Sequence, residues 1–188
     1  MSRTEAYLIL VKYLKNPNLI KHSLAAEAAM KMLYRKLNQQ PYNPQTEEMW
    51  GIVGLLHDAD YELSAGTPEI HGLLLFEKEP LIPQDIEYAI KAHNPSTKIE
   101  PKSKMDWAIR TVDQLTGLIV AAALVHPDKK LASLTPQFIL NRMKEKTFAK
   151  GADRTQIKLC EEKLGIPLNE FIAITLLAMQ GISTQLGL

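Results

Sequence analysis

Four side chains carry the chemistry that this sequence suggests: His22, the adjoining pair His57-Asp58, and Asp113. His22 aligns with Ala26, Ala29 and Leu33 at spacings of four, seven and eleven, the inward stripe of a helix. Trp50, Val53 and His57 share one helical face in the same way, and Asp113 stacks with Ile109, Thr116 and Val120. A lone inward histidine is ordinarily satisfied by a backbone hydrogen bond, and a lone inward aspartate by a cap or an ion pair. Two carboxylates and two imidazoles on three separate apolar faces are a different matter. A buried carboxylate is costly unless it is paired. A divalent cation meets that need and uses neutral imidazole as a ligand. A purely structural reading, with the polar groups bonded to one another and no metal, is the alternative at this point.

The elements that must position these groups read as helices throughout. Tyr7, Leu8, Leu10, Val11 and Leu14 suggest a first helix over about 4–15, broken by Asn16-Pro17-Asn18. A second helix runs over about 18–37 and ends at NQQPYNP, where two prolines cannot continue it. A third opens at Thr46-Glu47-Glu48, acids suited to a helix N-terminus, and ends at the His57-Asp58 doublet. YELSAGTPEIHG reads as a loop with a helical turn near its end, followed by a helix from Pro83 to about His93. HNPSTKIEPKS is a loop, and the stretch 103–125 is helical and strongly apolar. Pro127, Pro136, Gly151 and Pro167 punctuate three later helices, the last being PLNEFIAITLLAMQGIS. No strand alternation persists and no hairpin signal occurs, so the expected fold is all-α, one helical bundle.

Composition narrows the partners. A net charge of +1 in 188 residues argues against a general nucleic-acid or membrane-surface binder. One cysteine, Cys160, excludes an internal disulfide and a cysteine-rich zinc site, and suits a cytoplasmic setting. The longest uninterrupted apolar run, GLIVAAALV, has nine residues, so no membrane span is expected and the chain reads as soluble. No nucleophile elbow, phosphate-binding glycine loop or dinucleotide fingerprint is present.

The order His22, His57-Asp58, Asp113, set in KHSLAAEAAM, GLLHDADYE and AIRTVDQLTGLI, resembles the HD superfamily of metal-dependent phosphohydrolases. The resemblance covers Leu19 to about Val125, with the segment from Lys129 to Leu188 as a helical extension of the same domain. It implies an HD-type helical bundle with His22, His57, Asp58 and Asp113 as metal ligands. It also implies a role for Asp58 in orienting the attacking water. His71 and His93 fall in the interval where some members hold a second ion, and the arrangement is similar to HD enzymes that split dinucleoside tetraphosphates. Nitrogen and oxygen donors suit Mn, Fe, Co, Ni or Zn, or Mg in a site richer in water, as one ion or two.

The implied substrate is a phosphate ester or anhydride of a small molecule, a nucleotide foremost. One departure is clear. Many HD hydrolases carry a lysine shortly after the doublet, where this chain has Asp58-Ala59-Asp60-Tyr61-Glu62. Positive charge must come from elsewhere. Lys91 and Arg154 are the candidate phosphate contacts, and Lys129 to Lys163 holds nine basic residues against four acids. The same departure motivates the alternative of a non-catalytic module that binds a nucleotide or regulatory partner. His126, ahead of Pro127, reads as the end of its helix. The last helix is apolar on more than one face, as expected of a deeply buried element or a homodimer contact.

Overall fold

The computed structural model describes residues 1–38 and 41–188, so the Gln39-Gln40 part of the expected breaker lies outside the described residues. Its helices are α1 (Arg3–Tyr13), α2 (Pro17–Leu37), α3 (Pro44–Leu56), α4 (Tyr61–Ser64), α5 (Leu74–Lys78), α6 (Gln84–His93), α7 (Lys104–Val125), α8 (Pro136–Lys144), α9 (Arg154–Leu159), α10 (Leu168–Gln180) and α11 (Ser183–Leu186). Short 3-10 turns join several of them, and a π-helical turn over Cys160–Leu164 continues α9. No strand occurs among the described residues, so the all-α expectation holds.

Local chemistry explains the boundaries. Ser2 and Glu5 form a reciprocal capping box on α1, and Ser103 and Asp106 form another on α7. Asn16 and Asn43 cap α2 and α3, each followed by a proline at the first helical position. Pro83 stands just outside α6 as its N-cap rather than within its first turn. Two short helices, α4 and α5, replace parts of the chain read as loop or left without an assignment. In α1 the buried stripe is Ala6, Leu10 and Leu14, while Leu8 is 62% exposed. The i, i+4 row through Leu10 faces α3, and Leu8 falls on the other side of the helix.

One apolar core takes residues from nearly every helix. Its centre is α7, which packs against α2, α3, α6, α8, α9 and α10. By length and composition alone α7 would cross a membrane, but 61% of its most apolar stretch is buried within the protein. Measured as an uninterrupted run it looks too short; measured over the whole helix it is not. The apolar faces of α10 are covered mainly by α2, α7 and α8, leaving Leu177 58% exposed. Cys160 is buried at the start of the π turn, and burial pushes its thiol up to about 12.

The closest helix pair matters most for function. A Cβ on Gly54 would lie 2.6 Å from the carbonyl carbon and oxygen of Ala26, so the α2 and α3 backbones touch there with no room for a side chain. The small residues near His22 therefore admit a neighbouring helix. Two-pronged ion pairs tie α2 to α3 and α1 to α2. Arg35 donates to both oxygens of buried Glu47 at 2.8 and 2.9 Å, and Arg3 to both of buried Glu27 at 2.6 and 2.9 Å. Replacing Gly54→Ala is expected to lower unfolding free energy by about 1–3 kcal/mol through overpacking. It should also reduce bound metal, because His22 and His57 flank the contact. Urea titration combined with elemental analysis checks both.

Candidate metal centre

The helix contact at Ala26 and Gly54 sets His22, one turn before Ala26, beside His57, which closes α3. Their Nε2 atoms lie 3.2 Å apart. From α7, Asp113 Oδ1 approaches His22 Nε2 at 2.9 Å and His57 Nε2 at 3.5 Å. Asp58 turns Oδ2 toward His22 Nε2 at 3.5 Å and Oδ1 toward His57 Nε2 at 3.6 Å. The same Oδ1 lies 3.0 Å from His71 Nε2 and 3.7 Å from His93 Nε2. Two donor groups result, His22–His57–Asp58–Asp113 and Asp58–His71–His93, each with its ligand atoms within 4.8 Å of one another. Asp58 belongs to both.

The imidazole tautomers follow from what the far nitrogen touches. His57 Nδ1 donates to the Gly54 carbonyl at 2.7 Å and His93 Nδ1 to the Ile90 carbonyl at 2.5 Å. His71 Nδ1 donates to Asp60 Oδ1 at 2.9 Å. The Thr116 hydroxyl spends its proton on the Asp113 carbonyl at 2.8 Å, so it accepts from His22 Nδ1 at 3.2 Å. All four rings thus carry hydrogen on Nδ1 and aim Nε2, which can hold a proton or a metal, at the same two carboxylates. Lone pairs facing one another at about 3 Å repel unless positive charge lies between them. Ligands held about 2.0–2.2 Å from a cation stand roughly 3.0 Å apart in octahedral and roughly 3.4 Å apart in tetrahedral arrangements. The donor set therefore fits divalent cations, with imidazole nitrogen favouring Mn, Fe, Co, Ni or Zn.

Electrostatics point the same way. Burial alone would push His57 down, but Asp58 and Asp113 raise it to about 9. Burial likewise opposes His71, which Asp58 and Asp60 raise to about 10. Against the opposing effect of burial, the surrounding imidazoles hold Asp113 and Asp58 far below the carboxylate range. The carboxylates draw positive charge inward, as protons or as metal.

Several residues that build this centre went unremarked in the sequence as supports. Asp60, 1% exposed, accepts from Gly72 N at 3.0 Å and Leu75 N at 3.2 Å besides His71. Asp60 thus orients His71 and anchors its loop. Its proximity to the doublet was a visible signal; its partners, eleven to fifteen residues on, were not. Gly72 passes through this loop at φ +87°, where a Cβ would press on Ile90 O and His93 Cε1 at 3.2 and 3.3 Å. Gln114 donates to Asp113 Oδ2 at 2.7 Å and accepts from Asp153 N at 2.9 Å, tying the ligand to the loop before α9.

The two expected phosphate contacts are engaged elsewhere. Lys91 pairs with Glu87 one turn back and lies over the Phe76 ring at 5.2 Å. Arg154 donates to the carbonyls of Phe148, Ala149 and Ala152, where it stabilises its own loop. Glu62 accepts from Lys15 N and Asn16 N and braces the α1–α2 junction. His126 ends α7 as expected. A cleft of about 310 Å³ opens onto His22 and Asp113, and Gly151 and Ala152 line both it and a second hollow bordered by Lys146, Lys150 and Arg154. A larger hollow of about 580 Å³, beside Trp50 and Tyr88, contains none of these ligands. Comparison with family models, curated proteins and solved structures finds no match for the chain.

Two outcomes follow. In cation-free protein, the raised values of His57 and His71 stabilise the fold fully below their ordinary 6.5, and this contribution is lost as pH rises through about 9 and about 10. A cation must displace those protons, so metal affinity is expected to rise with pH over the same window, up to about tenfold per unit for each proton released. Calorimetric metal titration in buffers of different ionisation enthalpy measures both affinity and proton release. Second, Asp60→Asn keeps the side-chain shape but presents an amide to His71. It is expected to weaken the ion shared by Asp58, His71 and His93 by about 10–100-fold and to spare the other. Metal-to-protein stoichiometry reads this out.

Proposed function

We infer that this protein is a metal-dependent phosphohydrolase acting on a phosphate ester or anhydride of a small molecule, with a nucleotide as the leading substrate class. The observation that carries this reading is the sharing of Asp58 between two donor groups whose imidazoles all present Nε2. His22, His57, Asp58 and Asp113 would hold one ion, and Asp58, His71 and His93 a second. Such ions supply Lewis acidity at a phosphoryl oxygen and lower the pKa of water from 15.7 toward about 7–9.

The chain's own groups account for the rest. Asp58, between the two halves, orients the attacking water and accepts its hydrogen bond. Thr116, Gly54, Asp60 and Ile90 keep the imidazoles from rotating, so the centre needs little reorganisation during reaction. The water oxygen forms a new bond to phosphorus while the bond from phosphorus to the leaving oxygen breaks with its electron pair. A proton from the water ends on solvent or on the departing group. Lys146 and Lys150, bordering the hollow that shares Gly151 and Ala152 with the cleft, offer positive charge for further phosphates. Arg154 borders the same hollow, with its guanidinium turned to the carbonyls of its own loop.

A second reading, a metal centre that binds a nucleotide or partner without turnover, draws on the engagement of Lys91 and Arg154 elsewhere. One experiment separates the two. Phosphate release from a panel of nucleotides and phosphomonoesters is measured for metal-loaded protein and for His57→Ala and Asp58→Ala. The hydrolase reading expects metal content to fall in both variants and activity to drop by on the order of 100-fold or more. Binding without release in the parent protein favours the module, and undiminished release in both variants removes the proposed centre from the reaction.

A further inference from the structure

Gly117 lies one turn beyond Asp113, in the middle of the 22-residue helix α7. A mid-helix glycine is less favourable than alanine, since it has more backbone freedom to lose. Packing does not require it. A Cβ built on Gly117 meets nothing within 4 Å, whereas one on Gly54 would strike the α2 backbone. The space over Gly117 belongs instead to two concave limbs that also share His22. The first is the cleft of about 310 Å³ onto Asp113, which shares Gly151 and Ala152 with the hollow bordered by Lys146, Lys150 and Arg154. The second, about 420 Å³, is lined by the aliphatic Val120, Leu124, Leu186 and Leu188, with Asn18 and Lys21 also at its border. Leu124 is 54% exposed, an aliphatic side chain open to water in the hollow that His22 also lines.

We propose that Gly117 is a specificity-determining residue that forms the floor of the substrate cleft. The organic group attached to the scissile phosphate lies across it in the aliphatic limb, against Val120, Leu124 and Leu186. The site then selects phosphate compounds whose organic part has an apolar or planar face, a nucleoside base among them, over small hydrophilic esters. Continuity commits the limb to this occupant. His22 borders both spaces, so a phosphoryl group held near His22 and Asp113 directs its substituent either along the basic limb or along the aliphatic one. A side chain on Gly117 would stand between the two. This inference rests on the phosphohydrolase reading for the word substrate, but the cleft can be tested by binding alone.

The test uses full-length protein loaded with Mn²⁺ and two non-hydrolysable probes, methylphosphonate and benzylphosphonate, titrated calorimetrically. Benzylphosphonate is expected to bind about tenfold or more tightly than methylphosphonate to the parent protein, because its ring is removed from water. Gly117→Leu should keep its metal content and Tm but show less than about a twofold preference. Gly117→Ala should keep the preference and melt about 1–4 °C higher, since its methyl group meets open space and favours the helix. Leu124→Asp, at an exposed wall position, should also lose the preference without losing metal. Absence of the preference in the parent protein, or its survival in Gly117→Leu, overturns the proposal. Phosphate release is measured in parallel. No release with the preference intact refutes the hydrolase reading and leaves the cleft standing; release without the preference does the reverse.

Discussion

Four imidazoles are each tied by Nδ1 to a fixed acceptor, so four Nε2 atoms converge on two buried carboxylates. Positive charge is required at that point, and everything around it serves to keep the geometry from relaxing. The close approach of α2 and α3 at Ala26 and Gly54 brings His22 to His57, and the packing of α7 on α2 brings Asp113 to both. Loosening any of these contacts by an ångström would leave carboxylates buried without a partner, which the low-polarity interior penalises heavily.

The position of the His-Asp doublet at a helix end has a physical reason. The last carbonyls of a helix have no intrahelical donor. His57 uses one, that of Gly54, three residues back, and His93 uses that of Ile90 at the end of α6 in the same way. A helix terminus therefore supplies both the acceptor that orients the ring and the change of chain direction that turns the next residue inward. Asp58, next in the chain, occupies the space between the two halves. His71 closes only a single 3-10 turn, Pro68–Ile70, and its Nδ1 turns to Asp60 instead of to a carbonyl of that turn.

Local pattern revealed much of this architecture. His22, His57 and Asp113 fall on apolar helical faces, and the breaks at Pro17, Pro44, Ser103 and Pro136 mark helix starts within a residue or two. The two expected phosphate contacts both have short-range partners. Lys91 has Glu87 four residues before it, a pairing that helical spacing displays, yet its nearness to His93 drew the phosphate assignment. Arg154 folds back onto carbonyls of its own loop, a geometry that no spacing rule contains. Leu8 and Leu10 are equally apolar in composition, and only the placement of α3 decides which is buried.

The sequence by itself determined the helical elements and the identities of the donors, because periodicity reports which side of its own helix a residue occupies. The resemblance implied that these donors share a centre; the tertiary structure supplied the distances that bring them together, the place of Asp58 in both donor groups, and Asp60 behind His71. Those facts depend on how far each helix is shifted and rotated against its neighbours. That shift is set by packing contacts such as Gly54 on Ala26, between residues far apart in the chain, and no single helix carries it in its own pattern.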